Sequence, residues 1–159
     1  MTERCATHST FAIERHYPAR PARVFAAFSS AEAKLSWSDD PDYASDGGET
    51  EFDFRVGGRE RFGGKAPDGT LYRYDGLYYD IVPDQRIVYC YEMYENGARI
   101  SVSVATIEMV PADGGTRFTY TEQGAFLDGL SLARHREEGT AEQLDGLLRL
   151  LRAEAGEAG

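Results

Sequence analysis

Tight turns at close intervals constrain this chain more than any other feature. Gly57-Gly58, Pro67-Asp-Gly-Thr70, Pro83-Asp84, Asn96-Gly97 and Asp113-Gly-Gly115 each separate two stretches of alternating apolar and polar side chains. Glycine supplies the positive φ that such turns need, proline presets the first turn residue, and Asn-Gly is a strong two-residue hairpin signal. The stretches span residues 50–56, 59–65, 71–82, 86–94, 99–110 and 116–125, with Gly76 as an expected bulge or bend in the third. Connections this short join antiparallel neighbours, because a parallel pair needs a long crossover. Residues 8–17 alternate as well. The chain therefore predicts an antiparallel sheet of about six or seven strands.

Helical signals occur only near the start and at the end. Pro21-Ala-Arg-Val-Phe-Ala-Ala-Phe28 places proline in a first helical turn and Val24, Phe25 and Phe28 at helical spacing. Ser29 and Ser30 break that helix and can cap the next, over residues 31–35, which Trp37 ends. Residues 38–49 are polar and read as a loop. Leu144, Leu147, Leu148 and Leu151 form an i, i+3, i+4, i+7 core stripe on a closing helix. That helix has two candidate starts: Ser131 as a cap, or the capping box Thr140-Ala-Glu-Gln143. The class is α+β, with the sheet wrapped around the long last helix.

A chain of 159 residues fits one domain, placed at residues 8–153, with loose ends at 1–7 and 154–159. Its formal net charge of -10 would repel nucleic acid and anionic membrane surfaces. No apolar run is long enough to span a bilayer, and Met1 to His8 lacks the apolar core of a signal peptide, so the expected location is cytoplasmic. Cys5 and Cys90 stand apart, and no histidine or cysteine spacing suggests a metal. Neither a cofactor nor a metal is expected.

Several phrases, taken in order, carry a family resemblance: Pro21-Ala-Arg-Val-Phe-Ala-Ala-Phe28, Trp37, Phe52-Asp-Phe-Arg-Val-Gly-Gly58, Gly76-Leu-Tyr-Tyr-Asp-Ile-Val-Pro83, Arg86-Ile-Val-Tyr89 and Gly115-Thr-Arg-Phe-Thr119. With them the chain resembles the polyketide cyclase/START-like (SRPBCC) superfamily. Within it, the chain most resembles bacterial proteins related to the activator of the heat-shock chaperone ATPase. The resemblance spans residues 11–151 and implies a helix-grip fold. Many relatives carry a tryptophan in the last helix after its glycine; here the stretch is Gly139-Thr-Ala-Glu-Gln-Leu144.

Strand parity predicts an interior. Phe118, Tyr120 and Glu122 share one face; so do Met109, Ile107, Ala105, Ser103 and Ser101, and so do Ile87, Tyr89, Tyr91 and Met93. Tyr91, Ser101, Ser103, Tyr120 and Glu122 then mark the polar end of a mostly apolar pocket, the usual makeup of a small-molecule site. A carboxylate buried there would suit acid–base chemistry, which makes Glu122 the catalytic candidate; pairing with an arginine, or exposure at the strand end, is the alternative. Trp37 is either a gate to the pocket or an anchor for its helix. On an unbroken last helix, His135 faces away from the leucine stripe.

These residues predict a binding protein for a small apolar or aromatic molecule, with Trp37, Tyr91, Ser101, Ser103, Tyr120 and Glu122 as ligand contacts. One alternative is a cyclase- or hydrolase-type enzyme using Glu122 in the same cavity. Another is a protein-interaction module like the chaperone-ATPase activators, the partner that the resemblance implies. A homodimer is compatible with either; nucleic acid and membrane insertion are not expected.

Overall fold

Asn96 and Gly97 adopt φ of 50° and 84° and close the two-residue hairpin that their sequence predicts. In this computed structural model, which describes residues 3–156, the elements run β1 (Ala6–Tyr17), α1 (Pro21–Ala26), α2 (Ala31–Ser38), β2 (Ala44–Ser45), β3 (Glu51–Phe52), β4 (Arg59–Lys65) and β5 (Leu71–Val82). There follow β6 (Arg86–Glu95), β7 (Ala98–Ala112), β8 (Gly115–Leu127) and α3 (Ala133–Glu154). The sheet has eight strands in the order β1-β8-β7-β6-β5-β4-β2, with β3 also paired to β4, and every pairing is antiparallel. The first strand thus returns to lie beside the last, while β4 to β8 follow one another as hairpins.

The long helix packs on the inner face of this sheet. Leu144, Leu147 and Leu151 are buried against Phe11, Ile13, Tyr17, Phe118 and Tyr120; Leu148 is half-buried. Each fully buried leucine contributes about 1.5–3 kcal/mol. The Tyr17 hydroxyl donates to the Leu144 carbonyl at 2.9 Å, and Arg15 pairs with Asp145 at 2.7 Å, so β1 holds the helix at its middle. At Gly146 a Cβ would lie 2.6 Å from the Trp37 carbonyl oxygen, so the missing side chain is what lets α2 and α3 approach.

Several boundaries differ from the sequence expectation. β1 starts at Ala6, because Ala6 and Thr7 pair with Leu127 and Phe126 and the Cys5 amide donates to the Asp128 carboxylate. The expected loose ends otherwise include residues 1–2 and 157–159, which lie outside the described residues. The polar stretch 38–49 contains the short strand β2, and α2 runs on through Trp37 to Ser38. Ser30 does cap α2, accepting from the Ala33 amide at 3.1 Å.

The stretch 50–56 pairs only at Glu51 and Phe52. From Asp53 the backbone folds back on itself, since Gly58 donates to the Arg55 carbonyl and Asp53 to the Arg59 carbonyl. Strand alternation is given up there so that Phe52 and Phe54 can both reach Tyr78. Gly76 is not the bulge. The register of β5 shifts between Tyr78 and Asp80, whereas Gly76 leaves room for the Tyr74 ring, which a Cβ would meet at 2.9 Å.

The last helix begins at Ala133 with Leu132 as its N-cap residue and no side-chain cap. It continues unbroken through Gly139 and Thr140, so the capping box at Thr140 is not used as a start. Packing of the leucine face against the sheet, and not the cap, sets this boundary.

Candidate functional site

Neighbouring strands in register carry the inward polar residues to one place. Glu122 of β8 stands opposite Ala105 of β7, Ser103 opposite Gly124, and Tyr91 of β6 opposite Ser103. Small residues at 105 and 124 leave space for the side chains beside them. Glu122 is 1% exposed and accepts four hydrogen bonds. The hydroxyls of Tyr91 and Tyr120 both donate to its Oε1 at 2.6 Å; Ser103 donates to Oε2 at 2.9 Å and Arg136 to Oε2 at 3.4 Å. An ionised carboxylate is acceptor-only with about four lone-pair sites, so these donors use its full capacity.

Arg136 comes from the first turn of α3, with its side chain 13% exposed. Besides Glu122 it donates to the Tyr91 hydroxyl at 3.0 Å and to Ser101 Oγ at 2.7 Å. Its guanidinium also lies over the rings of Tyr91 and Phe126, 5.4 and 5.3 Å from their centroids. Burial pushes the Arg136 pKa down, but Tyr91 and Glu122 outweigh that and raise it, so the guanidinium stays charged.

An aromatic wall extends from this cluster across the inner face. Phe62 stacks on Tyr74, with centroids 4.8 Å apart, and Tyr74 stacks on Tyr91 at 4.9 Å. Tyr89 lies between Tyr91 and Tyr78, at 6.1 and 5.9 Å, and Phe54 meets Tyr78 edge-on at 5.1 Å. A second ion pair closes the far side. Lys34 of α2 donates to both oxygens of Glu60 on β4, at 2.6 and 2.7 Å, and lies 5.8 Å from the Tyr74 ring centroid. Glu60 is 3% exposed.

Tyr74 and Tyr89 combine two properties. By accessible area they are only half-buried, yet burial is the first cause holding their pKa values well above that of a free phenol. Both hold for a side chain set deep in the protein mass with part of its edge open. Tyr89, Glu60, Tyr91 and Tyr78 raise Tyr74 further. Among the described residues no protein group bonds the hydroxyls of Tyr74 or Tyr78, yet no buried side-chain nitrogen or oxygen lacks a partner; solvent therefore reaches both hydroxyls.

Burial also raises Tyr17, Tyr78, Tyr91 and Tyr120, first among the causes in each case. For these six tyrosines the folded chain holds protons that the unfolded chain releases above pH about 10. Their contribution is complete below that value and is lost as pH rises. The urea midpoint is thus expected to fall steadily above pH about 10, with the phenolate absorbance of these six appearing only on unfolding. A midpoint that stays constant to pH about 12 would contradict this burial.

Five of the six ligand contacts expected from sequence meet here: Tyr91, Ser101, Ser103, Tyr120 and Glu122. Trp37 stands apart. Its Nε1 donates to the Ala27 carbonyl at 2.9 Å and its ring meets Phe28 edge-on at 5.0 Å, joining α1 to α2. His135 is exposed on α3. The sequence reading missed Arg136, although its signal was present: eleven residues are about three helical turns, so the period that turns Leu147 inward does the same for Arg136. Lys34 and Glu60 were missed too, with no local signal to join them. Two open surface depressions of about 400 and 500 Å³, beside His8 and beside Pro111, are lined by none of these residues.

An antiparallel sheet closed by a long C-terminal helix, with two short helices after the first strand, defines a helix-grip domain of the START-like superfamily. The family of Activator of Hsp90 ATPase homolog 1-like proteins matches residues 18–155, and the chain belongs to it. A solved protein from Rhizobium loti is 47% identical, covering 91% of this chain and 98% of its own, with a TM-score of 0.83. An uncharacterised protein from Rhizobium leguminosarum is 42% identical, over 96% of this chain and 99% of its own, with a TM-score of 0.88. The AHSA1 protein from Silicibacter pomeroyi shares the fold at 20% identity, covering 92% of this chain and 99% of its own, with a TM-score of 0.72. No curated protein matches the chain significantly. Among the described residues, no helix is long and apolar enough to cross a membrane.

Proposed function

We propose that this protein binds a small apolar or aromatic molecule between the inner face of the sheet and α3. The observation that carries the reading is the pair of solvent-reached hydroxyls, Tyr74 and Tyr78, set deep in an aromatic wall between two buried ion pairs. A mostly apolar lining with a few convergent polar groups is how small-molecule sites are built. Tyr91, Ser101, Ser103, Tyr120, Glu122 and Arg136 form a fixed polar floor beside that space. A buried ion pair is a poor stabiliser compared with a well-packed apolar core, so fold stability alone gives little reason to keep Glu122 and Arg136 there. With four donors on its carboxylate, Glu122 serves to position the floor; a proton shuttle needs an oxygen open to substrate. Trp37 joins α1 to α2.

Native mass spectrometry of the protein recovered from its own organism tests this. The expected result is an added small-molecule mass that is released on acid denaturation. A bare protein, recovered with a chaperone instead, would overturn the reading in favour of the interaction role that the family description suggests.

A further inference from the structure

We propose that the site selects an uncharged aromatic molecule carrying a hydrogen-bond acceptor, such as an aryl ketone, over anionic and cationic molecules of the same shape. This rests on the cavity reading above. The argument starts from the charges that border the aromatic wall. They come as two closed pairs: Arg136 with Glu122 at 3.4 Å, and Lys34 with both oxygens of Glu60. Each pair is mostly withdrawn from water, with side-chain exposures of 13% and 1% for the first and 22% and 4% for the second.

An anionic ligand would need a cation here, yet both cations are held by carboxylates. Taking Arg136 or Lys34 would leave Glu122 or Glu60 buried and unpaired, a cost that one new contact does not recover. A cationic ligand meets the mirror problem, since Glu122 already accepts from four donors and Glu60 from the Lys34 ammonium at both oxygens. What the site has to spare is phenolic: the hydroxyls of Tyr74 and Tyr78. These stay protonated and so can donate to a neutral carbonyl or ether oxygen. Phe62, Tyr74 and Tyr91 form one near-parallel stack, tilted by only 14° and 20°, and an aromatic body can pack its face against the ring edges of such a stack.

Calorimetric titration of the full chain at pH 7 with four probes of matched shape tests this: 2-acetylnaphthalene, naphthalene, 2-naphthoate and 2-naphthylmethylammonium. The ketone is expected to bind at least about tenfold more tightly than either ion, and more tightly than naphthalene. Tyr74→Phe and Tyr78→Phe should each lower ketone affinity towards that of naphthalene, with naphthalene itself unmoved. Glu122→Gln should raise affinity for 2-naphthoate about tenfold by releasing Arg136, and Glu60→Gln should do the same through Lys34, which serves if the first variant fails to fold. Naphthalene bound, with either ion equal to the ketone, would overturn the charge selectivity and leave the cavity standing. No binding of any of the four would overturn both.

Discussion

Arg136→Met is expected to lower the unfolding free energy by about 3–5 kcal/mol, read from urea denaturation followed by circular dichroism. The reason is the carboxylate left behind. Glu122 is 1% exposed on the inner face of β8, and Arg136 is the cation that neutralises it. Without the guanidinium, Tyr91, Tyr120 and Ser103 still donate to Glu122, but its charge is uncompensated. Methionine keeps the apolar stem of the arginine and so isolates the loss of charge from the loss of packing. The double variant Glu122→Gln/Arg136→Met should recover most of the deficit, because the glutamine carbonyl still accepts from the tyrosines and no buried charge remains. If the single variant costs less than about 1 kcal/mol, water reaches the pair and the floor of the site is not dry.

The second large effect lies further along the same helix. Leu147→Ala should cost about 2–5 kcal/mol by the same measurement, since Leu147 is fully buried and its neighbours can fill the space only in part. Leu148→Ala, on the half-buried flank of α3, should cost clearly less. Equal losses at the two positions would mean that the helix is rotated from the face described. The same helix thus has two jobs along one stripe: its C-terminal half fills the core with leucine, and its first turn delivers Arg136 to the polar floor.

The sheet was legible because its signals are local. Asn96-Gly97 predicts its hairpin from two residues, and the parity of β6, β7 and β8 brings Tyr91, Ser103 and Glu122 to one face before any packing is known. Parity failed where packing overrode it. The chain from Asp53 to Gly58 abandons alternation because Phe52 and Phe54 gain more from Tyr78 and Phe25 than from strand pairing. The ion pairs were the least legible part of the site. Lys34 and Glu60 sit 26 residues apart on a helix and a strand, and only the docking of α2 against β4 joins them. Arg136 was legible in principle from the helical period, once the helix is known to run unbroken through Gly139. Two open candidate starts hid it.

The central proposal is that the tyrosines between the two ion pairs border a space that a small molecule fills. NMR of the chain labelled with 13C at the hydroxyl-bearing ring carbon of its ten tyrosines tests this most directly. On titration with 2-acetylnaphthalene the account expects Tyr74, Tyr78 and Tyr89 to shift together and saturably, while the exposed Tyr43 and Tyr79 stay in place. Shifts confined to Tyr43 and Tyr79, or none at saturating probe, would contradict it.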